Sequence, residues 1–170
     1  MRYAPDIQGL HHSAYRCRDS EETRRFYEDF LGLRLASALP LTATKTGRRV
    51  RALHTFYEMA DGSYIAFFEV PGDSAEDLFE DKSDFDLHLA VEVPDMATLE
   101  AYLKRGREAG MGMRGPTDHE FVTSIYFRDP NGYVVELTTK AAHHDAHMQH
   151  EVGTAHDVLA DWQKTKHEPV

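Results

Sequence analysis

The chain repeats one layout twice, and this duplication limits its fold more than any other feature of the sequence. The segment from His12 to Asp19 has the same pattern as the segment from His88 to Asp95, and both lead into an amphipathic stretch. Three residue pairs share one offset of 76 residues: His12 with His88, Asp19 with Asp95, and Phe26 with Tyr102. Matching imidazole, acidic and aromatic positions in one frame indicate a duplicated unit.

Each unit is predicted to open with a strand and to continue into a helix. In the second unit the apolar residues of 89–93 alternate with their neighbours, so they can face a helix layer while His88 faces the other side. A short polar side chain can cap each helix and a glycine can end it. These residues are Asp19 or Ser20 with Gly32 in the first unit, and Asp95 with Gly110 in the second.

Further strands complete each unit. Strand-like runs cover residues 49–58 and 63–70 in the first unit, and 124–127 and 133–138 in the second. The turns between them contain Asp-Gly or Asn-Gly pairs, which are typical of hairpins. Each half is therefore predicted to hold one strand, one helix and then about three strands.

The connector between the halves, residues 71–86, is strongly acidic. It holds seven Asp or Glu residues and a single basic residue, Lys82. We expect a solvated connector with a short helix around Leu78 and Phe79.

The residues after Thr139 differ in composition from both halves. The tail, 141–170, is rich in histidine, and His143, His147 and His150 are spaced to share one helix face. No carboxylate completes a metal cage at this spacing, so the sequence favours a solvated extension.

A short final helix is predicted within this tail. Thr154 with Asp157 can cap it, and the helix then carries the apolar residues Val158, Leu159 and Trp162. That apolar face is expected to dock on this subunit or on a neighbour, which favours a homodimer.

Composition excludes several classes of protein. Asp and Glu number 29 against 19 Lys and Arg, and a net charge of −10 disfavours binding to nucleic acid or to an anionic membrane. Cys17 is the only cysteine, so neither an internal disulfide nor a thiolate zinc site can form within the chain. No apolar run approaches the roughly 20 residues that cross a bilayer, and the first residues lack the layout of a signal peptide. We therefore expect a cytoplasmic protein.

Two histidines and one glutamate are the candidate metal ligands. His12 and His88 occupy equivalent first-strand positions, and Glu136 lies in an otherwise apolar strand, where a carboxylate needs a partner. Two neutral imidazoles plus one carboxylate form the facial ligand set of non-haem iron(II) enzymes and leave coordination positions open. The sequence therefore predicts one divalent metal ion held by these three residues.

The order of these residues resembles the vicinal oxygen chelate superfamily, which includes glyoxalase I, bleomycin-resistance proteins and type I extradiol ring-cleavage dioxygenases. The matching features are the strands at His12 and His88, the helix end Leu31-Gly32-Leu33, the turn Asp129-Pro130-Asn131-Gly132, and Glu136. The resemblance covers roughly residues 7–139. It implies an α+β fold within one domain, residues 1–140. Two βαβββ modules, at about 7–70 and 86–139, would form a cupped mixed sheet around the metal site.

The closing segment resembles the extradiol dioxygenases in particular. Their signature is matched by Thr117-Asp118-His119, by Ile125-Tyr126, by the turn at 129–132 and by Glu136. This resemblance implies iron(II) as the cofactor, a catechol-type aromatic diol and O2 as substrates, and cleavage of the ring next to the diol. It also implies that His119 donates a hydrogen bond to the substrate or to oxygen, and that Tyr126 hydrogen-bonds a substrate hydroxyl.

Glu69 keeps a second function open. It lies where glyoxalase I carries a further metal ligand, and the set would then be His12, Glu69, His88 and Glu136. Four protein ligands suit nickel, zinc or another divalent metal such as manganese, with isomerisation of a hemithioacetal by proton transfer. A non-catalytic drug-binding protein of the bleomycin-resistance type is a third alternative, although such proteins usually lack the metal ligands that this chain keeps.

Two further expectations concern the first module. His12 rather than His11 matches the ligand position, and strand alternation would send these two side chains to opposite faces. The additional acid–base histidine of extradiol enzymes has no direct counterpart, because the chain offers Ser63 or Tyr64 there and His54 lies one strand earlier. The candidate walls for a flat apolar substrate are Phe67, Phe121 and Phe127.

Overall fold

The computed structural model describes residues 6–72, 79, 83 and 85–167. The first half contains β1 (His12–Cys17), a helix made of α1 (Ser20–Arg24) and a π-helical continuation (Arg25–Phe30), and then β2 (Arg34–Ala43), β3 (Arg49–Glu58) and β4 (Tyr64–Glu69). The second half contains β5 (His88–Glu92), α2 (Met96–Glu108), β6 (Arg114–Asp118), β7 (Val122–Arg128) and β8 (Val134–Lys140). The C-terminal helix α3 spans His144–Thr165.

The two halves build two sheets with the same strand order. The first sheet runs β1-β4-β3-β2 and the second β5-β8-β7-β6. In the first sheet β1 is parallel to β4 and the other neighbours are antiparallel, so the sheet is mixed. This shared order confirms the duplicated βαβββ module and the α+β class.

The chain divides into two compact units that follow the repeat closely. The first unit comprises the residues up to Leu87 together with Arg128–Val134, and the second comprises His88–Phe127 with Val135–Val170. The turn between β7 and β8 thus belongs to the first unit, although the strands that it joins lie in the second sheet.

Both repeat helices begin at the predicted aspartates. The Asp19 carboxylate accepts hydrogen bonds from two backbone N–H groups of the first turn, each 2.8 Å long, and the Asp95 carboxylate accepts one of the same length. Gly32 and Gly110 follow the helices with φ of 78° and 72°, a conformation that glycine adopts without a steric penalty. Local capping chemistry therefore sets where each helix starts and ends.

The core of the first unit lies between its sheet and its helix. Tyr57, Ile65 and Phe67 of the sheet are completely buried. The ring of Tyr27 on the helix packs 4.8 Å from the Phe67 ring and 5.5 Å from the Tyr57 ring, measured between centroids. In the second unit the buried residues include Leu99 of α2, Ile125 of β7 and Val135 of β8.

The turn at 129–132 forms the predicted hairpin and also holds the first helix. Asn131 is fully buried, and its Oδ1 accepts the backbone N–H of Arg18 at 2.8 Å. Its Nδ2 donates to Asp129 at 3.0 Å and to the Thr23 hydroxyl at 3.3 Å. The Tyr27 hydroxyl donates to Asp129 at 3.1 Å, and burial raises the pKa of the Asp129 carboxyl. The Asp-Pro-Asn-Gly turn thus fixes the first helix and the residues before it through buried hydrogen bonds within the first unit.

The C-terminal helix corrects one prediction. The C-terminal helix that the sequence predicts is confirmed, but it is 22 residues long and begins at His144 instead of near Thr154. Thr154 lies inside the helix, where its hydroxyl donates to the carbonyl oxygen of Glu151 at 3.3 Å. The ring of His147 stacks on Phe121 with 4.7 Å between centroids, so a tertiary contact accompanies the true start of the helix.

Most of the acidic connector lies outside the described residues, including Leu78 of the predicted short helix. None of the helices in the described part of the chain combines the length and apolarity needed to cross a membrane.

Candidate functional site

Four of the predicted site residues form one hydrogen-bonded chain in the second unit. His88 Nε2 lies 2.7 Å from Glu136 Oε2, and the Tyr126 hydroxyl donates to Glu136 Oε1 at 3.2 Å. His119 Nε2 lies 2.6 Å from the Tyr126 hydroxyl oxygen. The Tyr126 hydroxyl therefore contacts both the Glu136 carboxylate and the His119 imidazole. The structure therefore orders the four side chains as His88, Glu136, Tyr126, His119.

The strands explain this arrangement. His88 is the first residue of β5, and Glu136 is the third residue of β8, the neighbouring strand. Glu136 retains only 8% exposure, so its carboxylate needs the polar partners that His88 and Tyr126 provide. Burial raises the pKa of the Tyr126 hydroxyl, and the neighbouring Glu136 charge acts in the same direction.

A tight turn between β6 and β7 presents His119. Its backbone N–H donates to the Val122 carbonyl at 2.9 Å, and the next residue, Glu120, has a positive φ of 72°. The Asp118 carboxylate accepts the Glu120 N–H at 2.8 Å and stabilises this unusual conformation. His119 remains exposed at the tip, free to meet a ligand while bonded to Tyr126.

His12, the remaining predicted ligand, lies in the first unit. It opens β1 in register with Tyr64 of β4 and is exposed. Its Nδ1 lies 2.8 Å from Nδ1 of His11, which corrects the expectation that the two side chains point to opposite faces. The reason is that His11 precedes the first residue of the strand, so strand alternation does not govern it.

Sequence reasoning missed the aromatic surroundings of His12. His54 and Phe56 on β3 place their rings 6.3 Å and 5.4 Å from the His12 ring, and Phe68 stacks on His54 at 3.6 Å. Nδ1 of His54 donates to the Phe67 carbonyl oxygen at 3.0 Å, which leaves its Nε2 with a lone pair. The alternation of His54 with Phe56 was visible in the sequence, but only the register of β3, β4 and β1 joins them to His12.

Glu69 points away from His12. Successive side chains of a strand alternate in direction, and Glu69 is in register with Cys17, whereas His12 is in register with Tyr64. The Glu69 carboxylate accepts the backbone N–H of Ser20 at 2.8 Å, at the start of the first helix. The fourth-ligand prediction for Glu69 therefore has no support in the geometry of the first unit.

The three phenylalanines predicted as substrate walls have other roles. Phe67 and Phe127 are core residues with 0% and 3% exposure, and Phe121 is covered by the His147 ring. Phe56 and Phe68 instead lie on the His12 face of the first sheet.

The donor atoms at Glu136 suit a divalent metal. Among the residues that the structure describes, no three His, Cys, Asp or Glu side chains are gathered as a complete metal site. The pair of His88 Nε2 and Glu136 Oε2 nevertheless provides one imidazole and one carboxylate at contact distance. These are ligand types that manganese, iron(II) and zinc accept. That His12 binds the same metal ion as His88 and Glu136 stays a prediction.

The sequence places the chain in a known family. The model of the Glyoxalase/Bleomycin resistance protein/Dioxygenase superfamily matches residues 9–137. The chain therefore belongs to this superfamily, in agreement with the resemblance deduced from its motifs. Among curated proteins no sequence matches the chain significantly.

Solved structures of the same superfamily share the fold. A glyoxylase/bleomycin resistance protein/dioxygenase domain from Frankia sp. EAN1pec has a TM-score of 0.66 at 17% identity, over 80% of this chain and 100% of that one. A fosfomycin resistance protein, FosX, from Listeria monocytogenes has a TM-score of 0.60 at 21% identity, over 82% and 98%, and was solved with Mn(II) and 1S,2S-dihydroxypropylphosphonic acid. FosX from Mesorhizobium loti has a TM-score of 0.56 at 25% identity, over 80% and 94%.

Proposed function

We propose that this protein is a metal-dependent enzyme that cleaves a catechol-type aromatic next to its diol. His12, His88 and Glu136 would hold one divalent metal ion, with iron(II) favoured. The observation that carries the proposal is the hydrogen-bonded chain from His88 through Glu136 and Tyr126 to His119. It connects two proposed metal ligands, His88 and Glu136, to two side chains that can donate or accept protons at a bound diol, Tyr126 and His119.

Tyr126 and His119, the two non-ligand members of this hydrogen-bonded chain, each have a definite role in the proposed reaction. Iron(II), when bound, supplies Lewis acidity and the ability to react with O2. Tyr126 is held by Glu136 on one side and His119 on the other, so its hydroxyl is fixed where a substrate hydroxyl can bond to it. His119 is exposed and lies beside the Tyr126 hydroxyl, so its imidazole can exchange a proton with an oxygen atom of a substrate bound there.

The His12 face of the first sheet suits a flat aromatic substrate. Phe56, Tyr64 and Phe68 lie on this face together with His54, and all three retain partial exposure. Aromatic rings favour offset-stacked or edge-on contact with another ring, at about 0.5–1.5 kcal/mol per pair beyond burial. A catechol fits such a surface better than a small aliphatic ligand does.

A second candidate function is metal-dependent chemistry on a small phosphonate. The solved structures of FosX proteins support it, one of them holding Mn(II) and a dihydroxypropylphosphonic acid. Arg114 also places its guanidinium 5.9 Å from the centre of the Tyr126 ring, where a positive charge could attract an anionic group.

One experiment separates these functions. The purified protein is loaded anaerobically with iron(II) or Mn(II). Each form is then assayed with a panel of catechols in the presence of O2 and, separately, with fosfomycin. We expect O2 uptake together with a yellow ring-opened product from the iron(II) form. Loss of fosfomycin with Mn(II), without O2 uptake on any catechol, would instead select the phosphonate reaction. Hemithioacetal turnover with nickel or zinc would select the isomerase.

Replacing Tyr126 by Phe tests the hydrogen-bonded chain directly. The substitution keeps the ring and removes only the hydroxyl that joins His119 to Glu136. We expect kcat at saturating metal to fall by about 100-fold or more, as is usual for the loss of one positioned proton donor. Metal affinity should fall by about 10- to 100-fold, because the same hydroxyl supports the proposed ligand Glu136. Steady-state kinetics with metal titration measures both. Unchanged kcat would contradict the proposed part of Tyr126.

Replacing Glu69 by Gln distinguishes three protein ligands from four. Glu69 bonds to the Ser20 N–H and is turned away from His12, so we expect metal affinity and kcat within about twofold of the native values. Titration with iron(II), nickel and zinc checks this expectation. A loss of more than about 100-fold in nickel affinity would instead restore Glu69 as a ligand and favour the isomerase.

A further inference from the structure

An arginine lies directly opposite the tyrosine of the candidate site. Arg114 begins β6 and is paired with Tyr126 of β7 in the antiparallel register, so the two side chains share one face of the second sheet. The guanidinium carbon lies 5.9 Å from the centre of the Tyr126 ring, and Arg114 is exposed to solvent. Burial raises the pKa of the Tyr126 hydroxyl, and the positive charge of Arg114 opposes this rise.

A β-bulge fixes the position of Arg114. Two residues of β6, Gly115 and Pro116, lie opposite a single residue of β7, Ile125. Gly115 has a φ of 105°, and a Cβ atom there would lie 2.7 Å from the carbonyl oxygen of Ser124. Only glycine fits both this conformation and this close approach. Bulges beside functional sites redirect neighbouring side chains, and this bulge determines where Arg114 lies.

The two ends of β6 place different chemistry around Tyr126. Arg114, at the start of the strand, lies beside the tyrosine ring. His119, in the turn after the strand, contacts the tyrosine hydroxyl at 2.6 Å. The 5.9 Å from Arg114 to the ring centre is comparable with the length of a benzene ring that carries one substituent. An aromatic ligand bonded to the hydroxyl can therefore bring a ring substituent to the guanidinium.

We propose that Arg114 selects catechols that carry a carboxylate on the ring. This inference rests on the proposed function and narrows its substrate class. A guanidinium presents a planar fork of N–H donors that pairs with both oxygens of a carboxylate, and it stays charged throughout the physiological pH range. A catechol with a neutral substituent gains less from these charged donors.

The charge of the whole chain makes a local cation important for such a substrate. The chain carries a net charge of −10, so its average field repels a carboxylate. The carboxylate of the candidate site, Glu136, is contacted by His88 and by the Tyr126 hydroxyl. Arg114 supplies the attraction that an anionic substituent needs in an otherwise acidic protein.

The test compares the acid and the amide of the same catechol. Protocatechuate and its amide have nearly the same shape but differ in charge, and so do pyrocatechuate and its amide. For the iron(II)-loaded native chain, kcat/KM for the better acid should exceed that for its amide by about 10- to 100-fold, the range expected from charge-assisted hydrogen bonds. Anaerobic isothermal titration with the same compounds measures the binding preference independently of turnover.

Substitution shows whether the preference comes from Arg114. Arg114→Gln should raise KM for the acid by about 10- to 100-fold and leave its kcat within about threefold, because the side chain contacts the substituent and not the reacting atoms. The preference for the acid should then fall below about threefold, and Arg114→Lys should restore part of it, since the charge returns without the planar fork. Arg25→Gln makes the same charge change at an exposed residue of the first unit and should keep the native preference.

The outcomes separate this inference from the proposed function. Ring cleavage without a preference for the acids, or a preference that survives Arg114→Gln, would overturn the role of Arg114 and leave ring cleavage standing. Selective binding of the acids without turnover would support that role and overturn ring cleavage, and the absence of both would overturn the two together. Circular dichroism shows whether each variant is folded. Added salt should weaken the preference of the native chain whether or not the variants fold, and a preference insensitive to salt would contradict a charge-based selection.

Discussion

Replacing His88 by Ala should abolish activity while the chain remains folded. His88 provides the imidazole nitrogen that contacts the Glu136 carboxylate, and both residues are proposed ligands of the same metal. We expect metal affinity to fall by at least about 100-fold, more than the 10- to 100-fold known for residues that only support a ligand. We expect kcat/KM to fall by about 1000-fold or more, equivalent to roughly 4 kcal/mol of transition-state stabilisation. Isothermal titration with Mn(II) and the O2-uptake assay measure the two effects.

His150→Ala is the matched control for this experiment. It makes the same substitution on α3, at an exposed residue that lies outside the hydrogen-bonded chain. Metal affinity, activity and thermal midpoint should all match those of the native chain. Activity that survives in His88→Ala with a normal metal content would exclude any mechanism built on this ligand.

The features of the fold that depend on residues close together in the sequence could be predicted from the sequence alone. The helix starts at Asp19 and Asp95 and the helix ends at Gly32 and Gly110 follow from local hydrogen bonding and backbone freedom. The duplication could be predicted because its members recur at one offset, and the two sheets repeat the same strand order.

The candidate site was predictable only in part, because its contacts depend on strand pairing. The motif brought His119, Tyr126 and Glu136 to attention, and the structure places these side chains in one chain of hydrogen bonds with His88. His54 was not recognised as a neighbour of His12, because their proximity depends on the register of three strands. The direction of Glu69 depends on the register of β1 and β4, so sequence position alone left its role open.

The start of α3 shows a different limit. Thr154 has the chemistry of a cap, but the helix continues ten residues toward the N-terminus, up to His144. The residue before that start, His143, makes no side-chain capping bond, and the contact of His147 with Phe121 joins residues 26 positions apart. A capping signal predicts a helix start only where no tertiary contact extends the helix further.

Replacing Asn131 by Ala should give a large loss of stability. The side chain is fully buried and bonds to the Arg18 backbone N–H, to the Thr23 hydroxyl and to Asp129, so its removal leaves buried polar groups without partners. Each such group costs about 1–3 kcal/mol, and we expect a total loss of about 3 kcal/mol. In a chain of this size that lowers the thermal midpoint by roughly 6–12 °C. Arg128→Ala, at an exposed neighbour in the same unit, should lower it far less.

Replacing Asn131 by Asp adds a pH dependence with a definite sign. The new carboxylate would lie beside Asp129, whose pKa is already raised by burial, and the mutual repulsion raises the pKa of the pair further. A carboxyl whose pKa is higher in the folded than in the unfolded state binds its proton more tightly when folded, so stability falls as pH rises through the folded pKa. The deficit of Asn131→Asp relative to the native chain should therefore shrink as the pH is lowered from 7 toward 5. Denaturant unfolding at several pH values measures this deficit, and a deficit that grows on acidification would show that the two carboxyl groups do not share the buried site.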